Sequence, residues 1–245
     1  MFFKEVDSMV KIGIPVRYEY SKDEGKPIIC IYDSLRRVIQ KAGADIELIV
    51  PLRDIDYMKV EDIDSIIVSE NEKERFKNII DSCDGLLLPG GGMFTSYDRF
   101  IYEYAVEKDI PTLGICLGMQ MMSCYKSKIN LKENNSFIKH NTKDGKDSYH
   151  IIFINKKSKL YKIIGKSIIK VNSFHNYHIT NNHKFKISAR SCDGIIEAIE
   201  HPNCRFNIGV QWHPEGNYDT DLYSKKIIDK FINECIKYSN KKNSF

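Results

Sequence analysis

Seven cysteines and seven histidines are the side chains of this sequence best suited to covalent or acid–base chemistry, and two of them stand in telling contexts. Cys116 sits in Gly114-Ile115-Cys116-Leu117-Gly118, after the apolar run Thr112–Ile115 and before a helical segment, Met119–Tyr125. This is the G-x-nucleophile-x-G pattern, with cysteine in the nucleophile position. A strand that turns sharply into a helix strains its central residue, and flanking glycines leave room for the turn. The side chain is then presented at the carboxyl end of a sheet, where the helix N-terminus favours a thiolate. Cys30, Cys83, Cys124, Cys192, Cys204 and Cys235 lack such a setting. A buried structural cysteine is the competing reading of Cys116 taken alone.

A nucleophilic cysteine needs a base, and the base needs a partner that fixes its tautomer. Among His140, His150, His175, His178, His183, His201 and His213, only His213 ends an apolar run and leads into Pro214-Glu215. In extended chain, residues two apart share a face, so Glu215 can orient His213, with Pro214 stiffening the backbone between them. Pro89-Gly90-Gly91-Gly92 follows another apolar run and can turn N–H groups toward an anion. Gly91, with Gly92 in reserve, and the N–H of Leu117 are the expected oxyanion donors. A phosphate loop is the other use of such glycines, but the Lys-Ser/Thr it requires is absent.

These residues need elements to carry them. In the first half, strands at Lys11–Val16, Asp45–Pro51, Gly85–Leu88 and Thr112–Ile115 alternate with helices at Tyr32–Ala42, Glu70–Ser82 and Asp98–Lys108. That alternation predicts an α/β fold, a doubly wound and mostly parallel sheet flanked by helices. The second half is richer in strands: Ser148–Ile154, Ser167–Val171, Phe185–Arg190, Gly194–Glu200 and Phe206–Gln211, before a last helix at Asp221–Lys237. It reads as an antiparallel β extension of the same sheet. No linker divides the halves, so residues 9–240 are expected to form one domain, with residues 1–8 an extension ahead of the first strand.

An odd cysteine count, irregular spacing and no export signal point to a reducing cytoplasm rather than a disulfide scaffold. Without a C-x-x-C pair, a structural zinc site is not expected. A net charge of +4 spread over the whole chain is no nucleic-acid footprint, and no apolar run is long enough for a membrane helix.

Taken together and in this order, the segments 85–92, 114–120 and 210–215 resemble the class I glutamine amidotransferase superfamily, over nearly the whole chain. The resemblance implies a Cys116, His213 and Glu215 triad. Gly13-Ile14-Pro15-Val16-Arg17, Val171-Asn172-Ser173-Phe174-His175 and Asp193–Glu200 are similar to the γ-glutamyl-γ-aminobutyrate hydrolase (peptidase C26) branch, whose members hydrolyse γ-glutamyl amides. By the same resemblance, Gln120 and the main chain around Phe174 and His175 hold the glutamyl α-amino and α-carboxylate groups. Met93–Tyr97 and Cys124–Lys128 depart from the branch pattern where the leaving amine would sit. Phe94 and Tyr97 are expected to line that side.

The expected reaction is hydrolysis of a γ-glutamyl amide to glutamate and an amine through a thioester, with no metal and no organic cofactor. A γ-glutamyl nucleotide amidate, as in hydrolases of bacterial capsule phosphoramidate synthesis, is one substrate of this class. The expected partner is that small molecule, not nucleic acid or a membrane, with homo-oligomerisation left open. The alternative is a glutaminase subunit that delivers ammonia to a separate synthase. A metal hydrolase built on His175, His178 and His183 is disfavoured, because residues three apart on a strand face opposite sides.

Overall fold

The computed structural model describes residues 9–244 apart from 22, 54, 60–65, 94, 128–130, 143–147 and 181–183. The expected extension at residues 1–8 lies outside the described residues. A nine-stranded sheet runs through both halves of the sequence. Its parallel part is β4 (Ala44–Ile49), β1 (Val10–Pro15), β5 (Gly85–Leu88), β6 (Thr112–Ile115) and β13 (Asn207–Val210), in that spatial order. The sheet continues antiparallel through β12 (Ile196–Glu200), β11 (Lys186–Ser191), β8 (Ser148–Ile154) and β9 (Ile168–Ser173). Two small hairpin-like pairs stand outside it: β2 (Arg17–Tyr20) with β3 (Pro27–Cys30), and β7 (Leu131–Glu133) with β10 (Tyr177–Ile179).

Helices cover both faces, so the parallel strands are apolar on both sides. On one face α1 (Asp33–Lys41), α5 (Lys159–Ile164) and α6 (Leu222–Lys242) meet Val10, Ile12, Ile14, Leu113 and Ile115. On the other, α2 (Glu70–Ser82), α3 (Ser96–Glu107) and α4 (Leu117–Met122) meet Leu86 and Leu88. A Cβ on Gly85 would lie 2.3 Å from Cys235 Sγ and 3.3 Å from Phe231, so this glycine is what lets α6 seat against β5. Phe231 is wholly buried in that contact.

Local signals explain where helices start. Ser69 accepts from Glu72 N while the Glu72 carboxylate accepts from Ser69 N at 2.8 Å, a capping box that opens α2. Asp98 does the same for α3, its Oδ2 accepting from Thr95 N at 2.7 Å. Asp221 opens α6 by accepting from Ser224 N. Among the described residues no helix is long and apolar enough to cross a membrane.

Candidate active site

β5, β6 and β13 are neighbours, and the loops leaving their carboxyl ends bring the candidate residues together. Cys116 follows β6 directly with φ 51° and ψ −108°, a conformation that strains any residue with a side chain. The strain is held by packing. A Cβ on Gly118 would fall 2.0 Å from Leu88 O, and one on Gly114 would fall 2.3 Å from Met122 Sδ. Both flanking glycines are therefore required by close approach. The Cys116 amide donates to Val210 O at 2.8 Å, tying the nucleophile to β13.

His213 Nδ1 lies 2.8 Å from Glu215 Oε1. The backbone reaches this contact differently from the extended chain expected. Pro214–Gly216 is a 3-10 turn with the proline at its start, so Glu215 curls back to His213. Asn172 clamps the His213 main chain, donating to its carbonyl at 3.0 Å and accepting from its N–H at 3.3 Å. The ring's other nitrogen, Nε2, is buried and has no hydrogen-bond partner among the described residues. A Cβ placed on Gly90 would lie 3.1 Å from His213 Cε1 and 3.6 Å from Cys116 Cβ, so only glycine leaves the space where ring and thiol meet.

Burial opposes charge on His213, but Glu215 and Cys116 outweigh it and hold the imidazole pKa well above its ordinary value of 6.5. The imidazolium–carboxylate attraction thus stabilises the fold fully below the ordinary value and is lost as pH rises through the raised one. Glu215→Gln removes one of the raising charges. We expect the His213 titration midpoint, followed by imidazole NMR, to fall in this variant, and kcat to drop by about 10–10⁴-fold. An unchanged midpoint would assign the orienting role to another acid.

Leu117 opens α4, so its N–H is a first-turn donor that the helix leaves unused. Gly91 has φ 151°, and a Cβ there would press on Arg17 at 3.0 Å, whereas Gly92 is exposed with open space around it. Arg17 fixes this turn from beneath. Its Nε and Nη2 donate to Pro89 O at 3.2 and 3.0 Å, and its Nη1 donates to Asp98 Oδ1 at 2.7 Å. Both side chains of that ion pair are buried, at 1% and 0% exposure.

Phe174 presents its carbonyl oxygen 3.9 Å from Cys116 Sγ. Gln120 Nε2 donates to Tyr177 O at 2.8 Å and Gln211 Oε1 at 3.2 Å. His175 departs from expectation. Its N–H donates to His140 O at 2.9 Å, its carbonyl accepts from Asn134 at 2.8 Å, and its ring turns into a buried polar cluster. Of the two residues, it is Phe174 whose main chain faces the thiol. Tyr97 is also a correction. It is 2% exposed, donates to Val16 O at 3.1 Å and packs between Tyr57 and Phe76, so it is core and not lining. Phe94 lies outside the described residues.

One neighbour of the thiol carried no signal of its own in the sequence. Gln211 Nε2 approaches Cys116 Sγ at 3.6 Å. The Tyr32 phenol donates to Glu19 Oε1 at 2.9 Å, and its pKa is raised by burial, by Glu19 and, more weakly, by Cys116. Gln211 could have been found from its place two residues before His213.

The peptidase C26 family model matches residues 95–215, which hold Cys116, His213 and Glu215. The glutamine amidotransferase-like protein YvdE of Lactococcus lactis subsp. lactis is 29% identical over 70% of this chain and 82% of its own. The family model and this relative support the class I glutamine amidotransferase superfamily, in its peptidase C26 branch. A CTP synthase of Porphyromonas gingivalis is also 29% identical, over 72% of this chain but only 39% of the synthase, so this chain spans well under half of that relative. The superfamily fold recurs in the glutaminase domain of a Trypanosoma brucei CTP synthase, with a TM-score of 0.65 at 20% identity, covering 93% of this chain and 94% of that domain.

Proposed function

We propose that the protein hydrolyses a γ-glutamyl amide through a thioester on Cys116. The observation that carries this reading is the pairing of His213 Nδ1 with Glu215 at 2.8 Å, which leaves a buried Nε2 beside a strained cysteine. In this mechanism His213 takes the thiol proton and the sulfur attacks the γ-carbonyl. The N–H groups of Leu117 and Gly91 stabilise the oxyanion. His213 then protonates the leaving amine as the C–N bond breaks. Water, deprotonated by His213, releases glutamate and restores the thiol.

The test is a panel of γ-glutamyl amides with neutral, anionic and cationic amine portions, a γ-glutamyl nucleotide amidate among them, given to the isolated protein. We expect one class to be hydrolysed better than glutamine. The second reading, a glutaminase feeding a separate synthase, is favoured by the likeness to proteins named CTP synthase. Inactivity on every amide until a synthase partner is added would establish that reading instead.

A further inference from the structure

We propose that the protein holds a structural divalent transition-metal ion, Zn²⁺, on His140, His150, His175 and Glu197. This site is separate from the chemistry at Cys116 and does not depend on it. The four side chains come from distant points of the chain: the loop after β7, β8, the segment after β9, and β12. All are buried, and one ligating atom from each lies within 4.8 Å of the others. Glu197 is 0% exposed, a position where a carboxylate demands a strong partner.

The distances fit a shared ion better than they fit direct hydrogen bonds. Glu197 Oε1 lies 3.3 Å from His140 Nδ1, 3.4 Å from His150 Nε2 and 3.8 Å from His175 Nε2. A charge-assisted N–H···O bond would be about 2.7–2.9 Å. Zinc bonds of about 2.0–2.1 Å arranged as a tetrahedron separate neighbouring ligand atoms by about 3.3–3.4 Å. These same four atoms all lack a hydrogen-bond partner among the described residues.

The outer contacts set the tautomers. His140 Nε2 is 2.8 Å from Asp193 Oδ2, so that nitrogen carries the proton and Nδ1 turns a lone pair inward. Asp193 is itself held by the hydroxyls of Ser136 and Ser191. His175 Nδ1 lies 3.0 Å from both Tyr177 O, an acceptor, and Asn134 Nδ2, a donor; in the tautomer that donates to Tyr177 O, Nε2 turns a lone pair inward as the proposed ion requires. Two imidazole lone pairs facing a buried carboxylate repel one another unless a cation lies between them. An imidazole backed by a carboxylate is the usual support of a zinc ligand. Three imidazoles with one carboxylate is a donor set that suits Zn²⁺, and four protein ligands close the site, as structural zinc requires. His178 takes no part: its Nδ1 meets Asn134 Oδ1 at 2.7 Å, and His183 lies outside the described residues. The histidines that converge are thus not those adjacent in sequence.

The site bears on the active site through the main chain. His175 follows Phe174, whose carbonyl faces the thiol, and Glu197 O accepts from Gln211 N at 2.8 Å. The ion would anchor both segments.

The test begins with metal analysis of the full chain purified without a polyhistidine tag. About one equivalent of zinc per chain is expected, together with loss of thermal stability on chelation. Exchange with Co²⁺ should give the visible absorption of a tetrahedral site. Glu197→Gln and His150→Ala should each cut bound metal at least roughly tenfold, while Cys116→Ala should retain it. Should those variants fail to fold, anomalous scattering at the zinc edge from crystals of the unaltered protein gives the answer, with a peak expected among the four atoms. Less than about a tenth of an equivalent of zinc and no uptake of Co²⁺ would overturn the proposal. So would a doubly protonated His140 seen by NMR, which would make the cluster an imidazolium bridge between Glu197 and Asp193.

Discussion

Cys116→Ala should abolish hydrolysis of a γ-glutamyl amide, with kcat reduced by on the order of 10⁴–10⁶ and the fold intact. In the proposed mechanism the thiol does the bond-making, and no other described cysteine sits at a strained, positive-φ turn; Cys83, Cys124, Cys204 and Cys235 are buried. Stability gives a second readout. With φ at 51°, residue 116 is strained in any form that carries a Cβ, by about 1–3 kcal/mol. Cys116→Gly should therefore unfold at higher urea concentration than Cys116→Ala, although both are inactive. Equal midpoints would mean that the elbow carries no stored strain. Residual turnover in both variants, with the diazoketone labelling another cysteine, would move the nucleophile elsewhere.

Arg17→Met should destabilise the protein by about 3–5 kcal/mol, because it strands the Asp98 carboxylate without its buried partner. It also takes two donors from Pro89 O, so the turn that carries Gly91 should loosen. The chemical consequence is a fall in kcat in whatever fraction stays folded, with less effect on KM. Denaturant melts of Arg17→Met, Asp98→Leu and the double variant form the measurement. The double variant should lose much less than the sum of the singles, since neither charge is then left alone. Additive losses would show that the two side chains act independently and that the turn is held by something else.

The parallel core of the sheet and the helices on it were legible because period and punctuation agreed there. Glu70–Ser82 starts at a capping serine, and Gly85–Leu88 ends at a glycine-rich turn. The Cys116 elbow was legible for a related reason: Gly114 and Gly118 are dictated by clashes that only glycine avoids. The short hairpin β2–β3 was not legible, since Ile28 and Ile29 are both exposed and alternate with nothing. Tyr97 misled because position beside the oxyanion glycines says nothing of direction. It starts a helix, and the helix turns it into the core. The cluster around Glu197 was beyond reach for a different reason. His140, His150 and His175 are ordinary isolated histidines in sequence, and only the sheet's register brings them to one carboxylate.

The position of β13 bears on how the molecule comes together during synthesis. These four residues pair with β6 on one side and β12 on the other, and so join two groups of strands. Until they are made and inserted, β6 and β12 each present an open edge, the kind of surface that recruits the wrong partner. The nascent chain therefore has a vulnerable interval, one that a holding chaperone would shorten. The same delay has a protective side. Cys116 emerges from the ribosome about a hundred residues before His213, and at about 5–20 residues per second it waits several seconds without its base. On the proposed mechanism, the chain thus gains its thiol–imidazole pair only when the sheet is closed.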